Sequence, residues 1–582
     1  MGKRKVLATA AAVAALAAVV AVSSTRSSSG SDEAAGVKSM KPTKVVVATN
    51  DLSGPLRDAV PTAARPRAED RYEAEREAER EAAAEAGNGP IEGEEEGQGE
   101  GFPHRLVAGR TSSTGVDKGL QTTAPASNVP APLVSFDAIT NTLAENDSTT
   151  VRPPDTNADV GPNHIVETVN LSIAVYDKLG NVAAGFPKRT NALWAGFTAG
   201  PECRDANDGD PVVLYDQLAD RWMVSQFALP NFPNGPFYQC IAVSQTPDPT
   251  GAYYRYEFKY PVNRLNDYPK FGVWPDAYYA SFNEFTPPSF SFHGAGAIAY
   301  ERTKMLRGQR AKMVYFDVST IDPNTGGQLP SDLNGRNKPT AGTPNFFVDQ
   351  EYSVFGYPTD RLQLWKFHVD FANTANSTFT GPTVLTPNPF GTPLCGFAAC
   401  IPQPGTTVKL DTLSDRVMNR LNYRRIGTTE SLVVTQSINV GSDRAGIRWY
   451  ELRNPNGAAS IFQQGTFAPN DGLSRWMGSA NMDKQGNIMI GYSAGNATTA
   501  PGIKYAGRLS GDPLGDLSQG EGTIINGGGS ETSPEGRWGD YSTMSVDPVD
   551  DCTFWYAQEY MPATSFAGWT TQIASMKFPG CV

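Results

Sequence analysis

The chain has only four histidines, and its six cysteines include no C-x-x-C pair, so a zinc site has no ligand set to build on. A glycine-rich phosphate loop, a G-x-S-x-G elbow and an H-E-x-x-H pair are also missing, which removes the commonest nucleotide, hydrolase and metalloprotease signatures. Basic charge is short: 49 Lys and Arg face 61 Asp and Glu, a net charge of −12. A phosphate backbone needs a basic face, and none is offered, so nucleic acid is rejected as a partner. After the first 23 residues no run is long and apolar enough for a membrane-spanning helix.

The N-terminus has the three parts of an export signal. Lys3, Arg4 and Lys5 form a basic start, Val6 to Val22 is an uncharged Ala/Val-rich stretch, and Ala21 and Ser23 are placed for cleavage after Ser23. A mature protein without a transmembrane helix, secreted and extracellular or held at the cell surface, is expected. In an oxidising compartment an even cysteine count favours disulfides. Six cysteines allow 15 pairings; the sequential set Cys203–Cys240, Cys395–Cys400 and Cys552–Cys581 is the one expected, the last fastening the chain terminus.

Residues 24–130 read as a low-complexity leader. Within it Lys44 to Thr49 is β-prone, a lone strand at most. Residues 67–101 carry thirteen acids and four arginines, a balance of −9 that leaves −3 for all the rest. Ala, Glu and Arg favour helix, but no apolar stripe is present, so a solvated helix or spacer followed by a flexible acidic linker is expected. Residues 131–582 change to strand-like runs separated by Pro, Gly, Asp and Asn.

Those runs repeat. Val212–Asp216 leads through a turn into Met223, Phe271–Asp276 into Ala277, Ser479–Asp483 into Ile488, and Met544–Asp547 into Thr553. Each is a strand, an Asp-opened turn and a second strand, because Asp accepts from the amides that follow it. A further alternating strand comes after each hairpin, as in Tyr238–Ser244, Gly296–Tyr300, Arg361–Phe367, Gly446–Leu452, Gly502–Gly507 and Trp569–Phe578, and is expected on the exposed outside. Repeat starts near 155, 209, 267, 345, 416, 474 and 536 predict an all-β fold, a single β-propeller of seven blades, with six or eight compatible with the same spacing. Insertions at 319–344 and 378–404 account for the long repeat.

The stretches 536–560 (GRWGDYSTMSVDPVDDCTFWYAQEY), 569–581, 153–170 (PPDTNADVGPNHIVETVN), 209–228, 244–256 and 268–281 resemble a broad group of secreted bacterial sialidase-like propellers of the BNR type, mostly of unassigned activity. The resemblance covers most of 150–582 and implies the fold more than a function. A complete Ser-x-Asp-x-Gly-x-Thr-Trp box is absent, SQTPDPTG and ANMDKQGN being only loosely like it. The sialidases' three arginines and Tyr/Glu pair have no assignable positions; Arg420, Arg424, Arg475 and Arg537 match by type alone.

The first strand of a propeller blade lines the central channel, so its opening residues converge on one mouth. Six residues before three of the repeat aspartates stand Asp210, Lys270 and Tyr541, with Asp267, Tyr268, Arg475, Trp476, Arg537, Trp538 and Asp540 beside them. Aromatic faces and charged forks of this kind suit a sugar; the same types also build inter-blade ion pairs and cores. Asp210 and Asp540 would serve as acid and base if about 5–9 Å apart. A second set, Asp155, Asn157 and Asp159 with Asp205 and Asn207, alternates side-chain oxygens as Ca2+ loops do, without EF-hand spacing, and reads equally as turn chemistry. The function expected is binding of an extracellular carbohydrate or protein ligand by a monomer. A polysaccharide hydrolase or lyase, and a calcium-stabilised adhesion module, are the alternatives.

Overall fold

The computed structural model describes residues 37–61, 65, 116–141 and 151–582. The export signal and the acidic segment 67–101 lie outside the described residues.

Among the described residues six antiparallel meanders of four consecutive strands are followed by a seventh of three, which takes its fourth strand from near the start of the chain. Blade 2 is typical: Val212–Asp216, Arg221–Ala228, Tyr238–Ser244 and Ala252–Lys259 pair in order. The inner strands are Asn157–Val160, Val212–Asp216, Leu265–Val273, Leu329–Asn334, Val417–Ile426, Ser474–Met482 and Thr543–Val546, for blades 1 to 7. Each touches the next, and the seventh touches the first, so the ring is closed. One small twisted sheet cannot bury both its faces; in a closed ring every sheet is covered by two neighbours. Between blades the filling is aromatic, with Trp222, Trp274, Trp365, Trp449, Trp476, Trp538 and Trp569 all almost fully buried.

The Asp-opened hairpins form as expected. Asp216, Asp483 and Asp547 accept from the amides of Leu218 (3.1 Å), Gln485 (2.8 Å) and Val549 (3.0 Å). The three disulfides are the sequential ones.

Four expectations need correction. Leu329–Asn334, inside the expected insertion 319–344, is the inner strand of blade 4, and Asn345–Glu351 is its second strand. Likewise Thr378–Leu385 is the outer strand of that blade rather than insertion. The alternating strands expected outside are third strands, covered by a fourth and largely buried. Their alternation reflects two packed faces of different polarity. Finally, Lys44–Val47 is not alone. It pairs with Lys312–Asp317 of blade 3, while Lys38–Met40 and Thr49–Pro55 add to the outer strands of blades 4 and 2. Leu120–Gln121 lies parallel to the outer strand of blade 5, and Val134–Thr140 supplies the fourth strand of blade 7. Five blade edges are thus finished by a belt from before residue 141, which shields their open hydrogen-bonding groups.

Candidate site at the channel mouth

Inner strands start at one end of the ring, the upper face. The channel below that face is filled by its own side chains. Arg420 of blade 5 pairs with Asp159 of blade 1 (2.9 Å) and Asp332 of blade 4 (3.4 Å), and donates to the carbonyls of Ala158 (3.0 Å) and Val213 (3.1 Å). Burial pushes the Asp332 carboxyl up to about 7, against the pull of Arg420. Deeper, Arg424 holds Asp551 (2.6 Å) and the Met482 carbonyl (2.8 Å). Asn334, Asn422 and Asn481 join blades 4, 5 and 6, Asn334 donating to Asn422 (2.6 Å) and Asn481 to Asn334 (3.0 Å). The channel is plugged here, and Arg420 and Arg424 are its struts.

Above the plug five blades bring side chains into mutual contact, which is geometrically possible only at the axis. The Lys270 ammonium of blade 3 sits 3.0 Å from the ring centre of Tyr268 and 3.7 Å from that of Tyr541 of blade 7. The guanidinium of Arg416 from blade 5 lies 4.5 Å over Tyr268 and is paired with Asp415 at 2.8 Å. Tyr541 donates its hydroxyl to Asp210 of blade 2 at 3.1 Å. Asn170 links blades 1 and 2, donating to Asp155 (2.8 Å) and accepting from the Asp210 amide (2.9 Å). The other Asp155 oxygen accepts from the Asp540 amide (2.9 Å), and Arg537 clamps the Asp540 carboxylate at 2.9 and 3.0 Å. Cation–π contact of a desolvated ammonium with two rings is worth about 2 kcal/mol or more.

Backbone geometry aims these groups. Asp155, Asp210 and Tyr268 have φ of 52°, 47° and 53°, left-handed values that non-glycine residues seldom adopt. In blade 3 the pairing register slips between Asp267 and Lys270, a bulge that redirects the side chains there. Such strain gathers at functional sites.

Acids crowd one side of the mouth. Asp155 is raised well above the usual carboxylate range by burial first and then by Asp540, with Arg537 pulling the other way. Burial also lifts Glu531 to about 8, and Glu559 rises through burial and the neighbouring Glu531, Asp155 and Asp540. Arg537 is the cation common to Asp155, Asp411, Glu531 and Asp540.

A long connection, 386–416, packs onto this cluster. Its Leu394, Cys400, Ile401, Leu410 and Leu413 share one apolar cluster with Tyr268, Tyr541, Trp476 and Trp538. It is fastened to blade 5 by the Gly391–Asn439 bridge and to blade 7 by Asp411, whose amide donates to the Gly536 carbonyl (2.9 Å). A Cβ on Gly536 would stand 2.0 Å from the Lys409 carbonyl, so only glycine admits this approach. Under this strap Tyr268 and Tyr541 are 1% and 0% exposed.

Of the expected mouth residues, Asp210, Tyr268, Lys270, Arg537, Asp540 and Tyr541 meet there. Asp267 stands on the blade 3 inner strand opposite Asn283, at the edge of the set. Arg475, Trp476 and Trp538 do not join its polar contacts, although the two tryptophans share an apolar cluster with Tyr268 and Tyr541. Arg475 turns outward to Asp471 (2.6 Å) and Glu521 (2.7 Å), and the two indoles pack together at 5.9 Å with Trp538 donating to Ser493. An alternating strand sends successive side chains to opposite sides, and adjacency in sequence therefore separated them. Asp155, Arg416 and Glu559 were missed as mouth residues; the repeat offset that found Asp210 would not have reached them.

The set expected to hold Ca2+ has its oxygens engaged with protein donors. Asn157 accepts from the Val213 amide, Asp159 from the Tyr215 amide and Arg420, and Asn207 from the Asn191 amide, while Asp205 pairs with Arg204. Among the described residues the three-ligand cluster is elsewhere: Glu284, His293 and Asp317 in blade 3. Arg264 bridges both of those carboxylates (2.8 and 2.9 Å) and stands where a cation would. His293 meets Ser319 at 2.9 Å and Asp317 at 3.6 Å through the same ring nitrogen, which is not the geometry of a hydrolytic triad.

No protein-family model matches this chain. No curated protein matches it either. Solved structures similar in shape include an α-L-arabinofuranosidase of Fusarium graminearum (TM-score 0.36, 9% identity, covering 77% of this chain and 99% of that one). The phage phi92 endosialidase (0.35, 8%, 62% and 66%) and an α-L-arabinanase of Penicillium chrysogenum (0.30, 9%, 68% and 99%) are others. Likeness at this level says nothing of which chemistry this chain performs.

Proposed function

We propose that this propeller binds an extracellular carbohydrate at the channel mouth, without itself cleaving it. The observation that supports the reading is the contact set from five blades, in which Lys270, Arg416 and Arg537 stand among two tyrosine rings and several carboxylates over a plugged channel. Ring faces take the apolar side of a sugar, and guanidinium forks take hydroxyls or a carboxylate. Arg537, whose side chain is 17% exposed, is the group a ligand meets first, and the strap 386–416 must lift for the tyrosines to be reached. The test is a glycan panel with intact chain, Lys270→Gln and Arg537→Gln. At least one glycan should be retained by the intact chain and bound at least 10-fold more weakly by both variants. No retained glycan, or variants that bind as tightly as the intact chain, would end the proposal.

A hydrolase is the second reading, favoured by one feature: a raised carboxyl on Asp155 beside an Arg-clamped Asp540, as acid and base pairs require. Both Asp155 oxygens accept from protein donors, which favours binding alone. New reducing ends that vanish in Asp540→Asn, with folding intact, would replace the first reading by the second.

A further inference from the structure

On the lower face, where the hairpins of blades 5 and 6 lie side by side, is a cleft of about 200 Å³ unconnected with the mouth. Arg508 ends the third strand of blade 6 and is 1% exposed. Its Nε and Nη2 donate to the carbonyls of Asp516 (3.3 Å), Asp512 (2.7 Å) and Pro513 (3.3 Å). Among the described residues no carboxylate pairs with it, although Asp512 and Glu451 are near enough to oppose the lowering of its pKa by burial. Among the described residues nothing accepts from its Nη1, and that atom is not sealed from solvent.

Opposite stands Arg453, its guanidinium 3.2 Å from the centre of the Phe462 ring. Only its Nε is committed, to Glu451 at 2.7 Å. Glu451 is 1% exposed and already takes Ser431 (2.8 Å) and Gln463 (2.5 Å). The cleft therefore holds two guanidinium groups against one carboxylate whose acceptors are occupied. A buried arginine is costly unless an anion meets it. Thr429, Ser431, Gln463, Gln485 and Ser510 line the remainder together with Ile426 and Met482, and Leu514 is 57% exposed.

We propose that this cleft is a second binding site, for a single sugar unit bearing an anionic group, its charge on Arg453 and Arg508 and its ring against Phe462 and Leu514. The anionic group is a ring carboxylate or a sulfate ester, both of which fit a guanidinium fork. Peptide is disfavoured because the polar groups are side chains set around a small cleft of about 200 Å³ rather than backbone groups along a free strand edge.

The experiment is calorimetric titration of the full chain with D-galacturonate, galactose 6-sulfate, D-galactose, inorganic sulfate and an acidic hexapeptide. Either anionic sugar should bind at least 10-fold more tightly than galactose, less so in high salt, and which of the two prevails identifies the anion. Arg453→Ala should lose that binding at least 10-fold. Leu514→Trp, which fills the cleft from an exposed position and spares the fold, should do the same. Equal affinity for galactose, binding of sulfate or peptide alone, or binding that survives Leu514→Trp would overturn the proposal.

Discussion

The lower channel and its mouth are built alike, from charged side chains at the inner strands, yet the charges are used differently. Around Arg420 every cation meets carboxylates or carbonyls of other blades, and the pairs bind the ring across its axis. At the mouth two of the three cations rest on tyrosine faces, the acids press on one another, and left-handed backbone holds them there. Charges that meet partners across the axis brace the ring; charges pressed on one another at the mouth are where a ligand would have something to gain.

The sharpest way to break this contrast is mutation. Arg420→Met should lower stability by about 3–5 kcal/mol, because it leaves Asp159 and Asp332 buried against each other. Lys270→Gln should cost about 2 kcal/mol, less than Arg420→Met. Thermal melts of both variants measure the difference, and equal losses would erase the distinction between lower channel and mouth. A smaller effect concerns pH. Glu167 and Glu531 are each lifted by burial from 4.5 to about 8, so the native state keeps protons that the unfolded chain has released. Their stabilising share is complete below pH 4.5 and is lost as pH climbs through 8. The melting temperature should fall from pH 5 to pH 9, and Glu531→Gln should flatten the slope by on the order of 1 kcal/mol or more. The smallest effect expected is from calcium. With the oxygens of Asp155, Asn157, Asp159, Asp205 and Asn207 already bonded, melts in chelator and in millimolar calcium should agree within about 1 °C.

How much of this was legible in sequence depended on local signals. Hairpins announce themselves because Asp and its following amides are neighbours, while the disulfide pairs, one choice of 15, are the sequential set expected. The offset from Asp216 and Asp547 found Asp210 and Tyr541, since both inner strands are short and each ends at or just before its turn aspartate. Placing neighbours in sequence beside them failed for Arg475 and Trp538: Arg475 lies on a strand whose register shifts just beyond it, and Trp538 precedes the blade 7 inner strand. The blade 4 inner strand, LPSDLN, escaped notice because Pro330 and Ser331 look like loop, and its pairing with the neighbouring inner strand supplies the order. The belt strands were hidden for another reason: their partners are hundreds of residues away.

That last feature governs assembly in time. Residues 38–55 leave the ribosome before the edges they finish, which lie between 252 and 385, exist at all. Residues 134–140 wait longer still, for the strand at 570–576 that makes their sheet. Residues 38–55 therefore lack their full set of partners until Gly381 has emerged, and residues 134–140 lack theirs until nearly the whole polypeptide has. Folding of this ring is completed from its beginning, but only after its end has arrived.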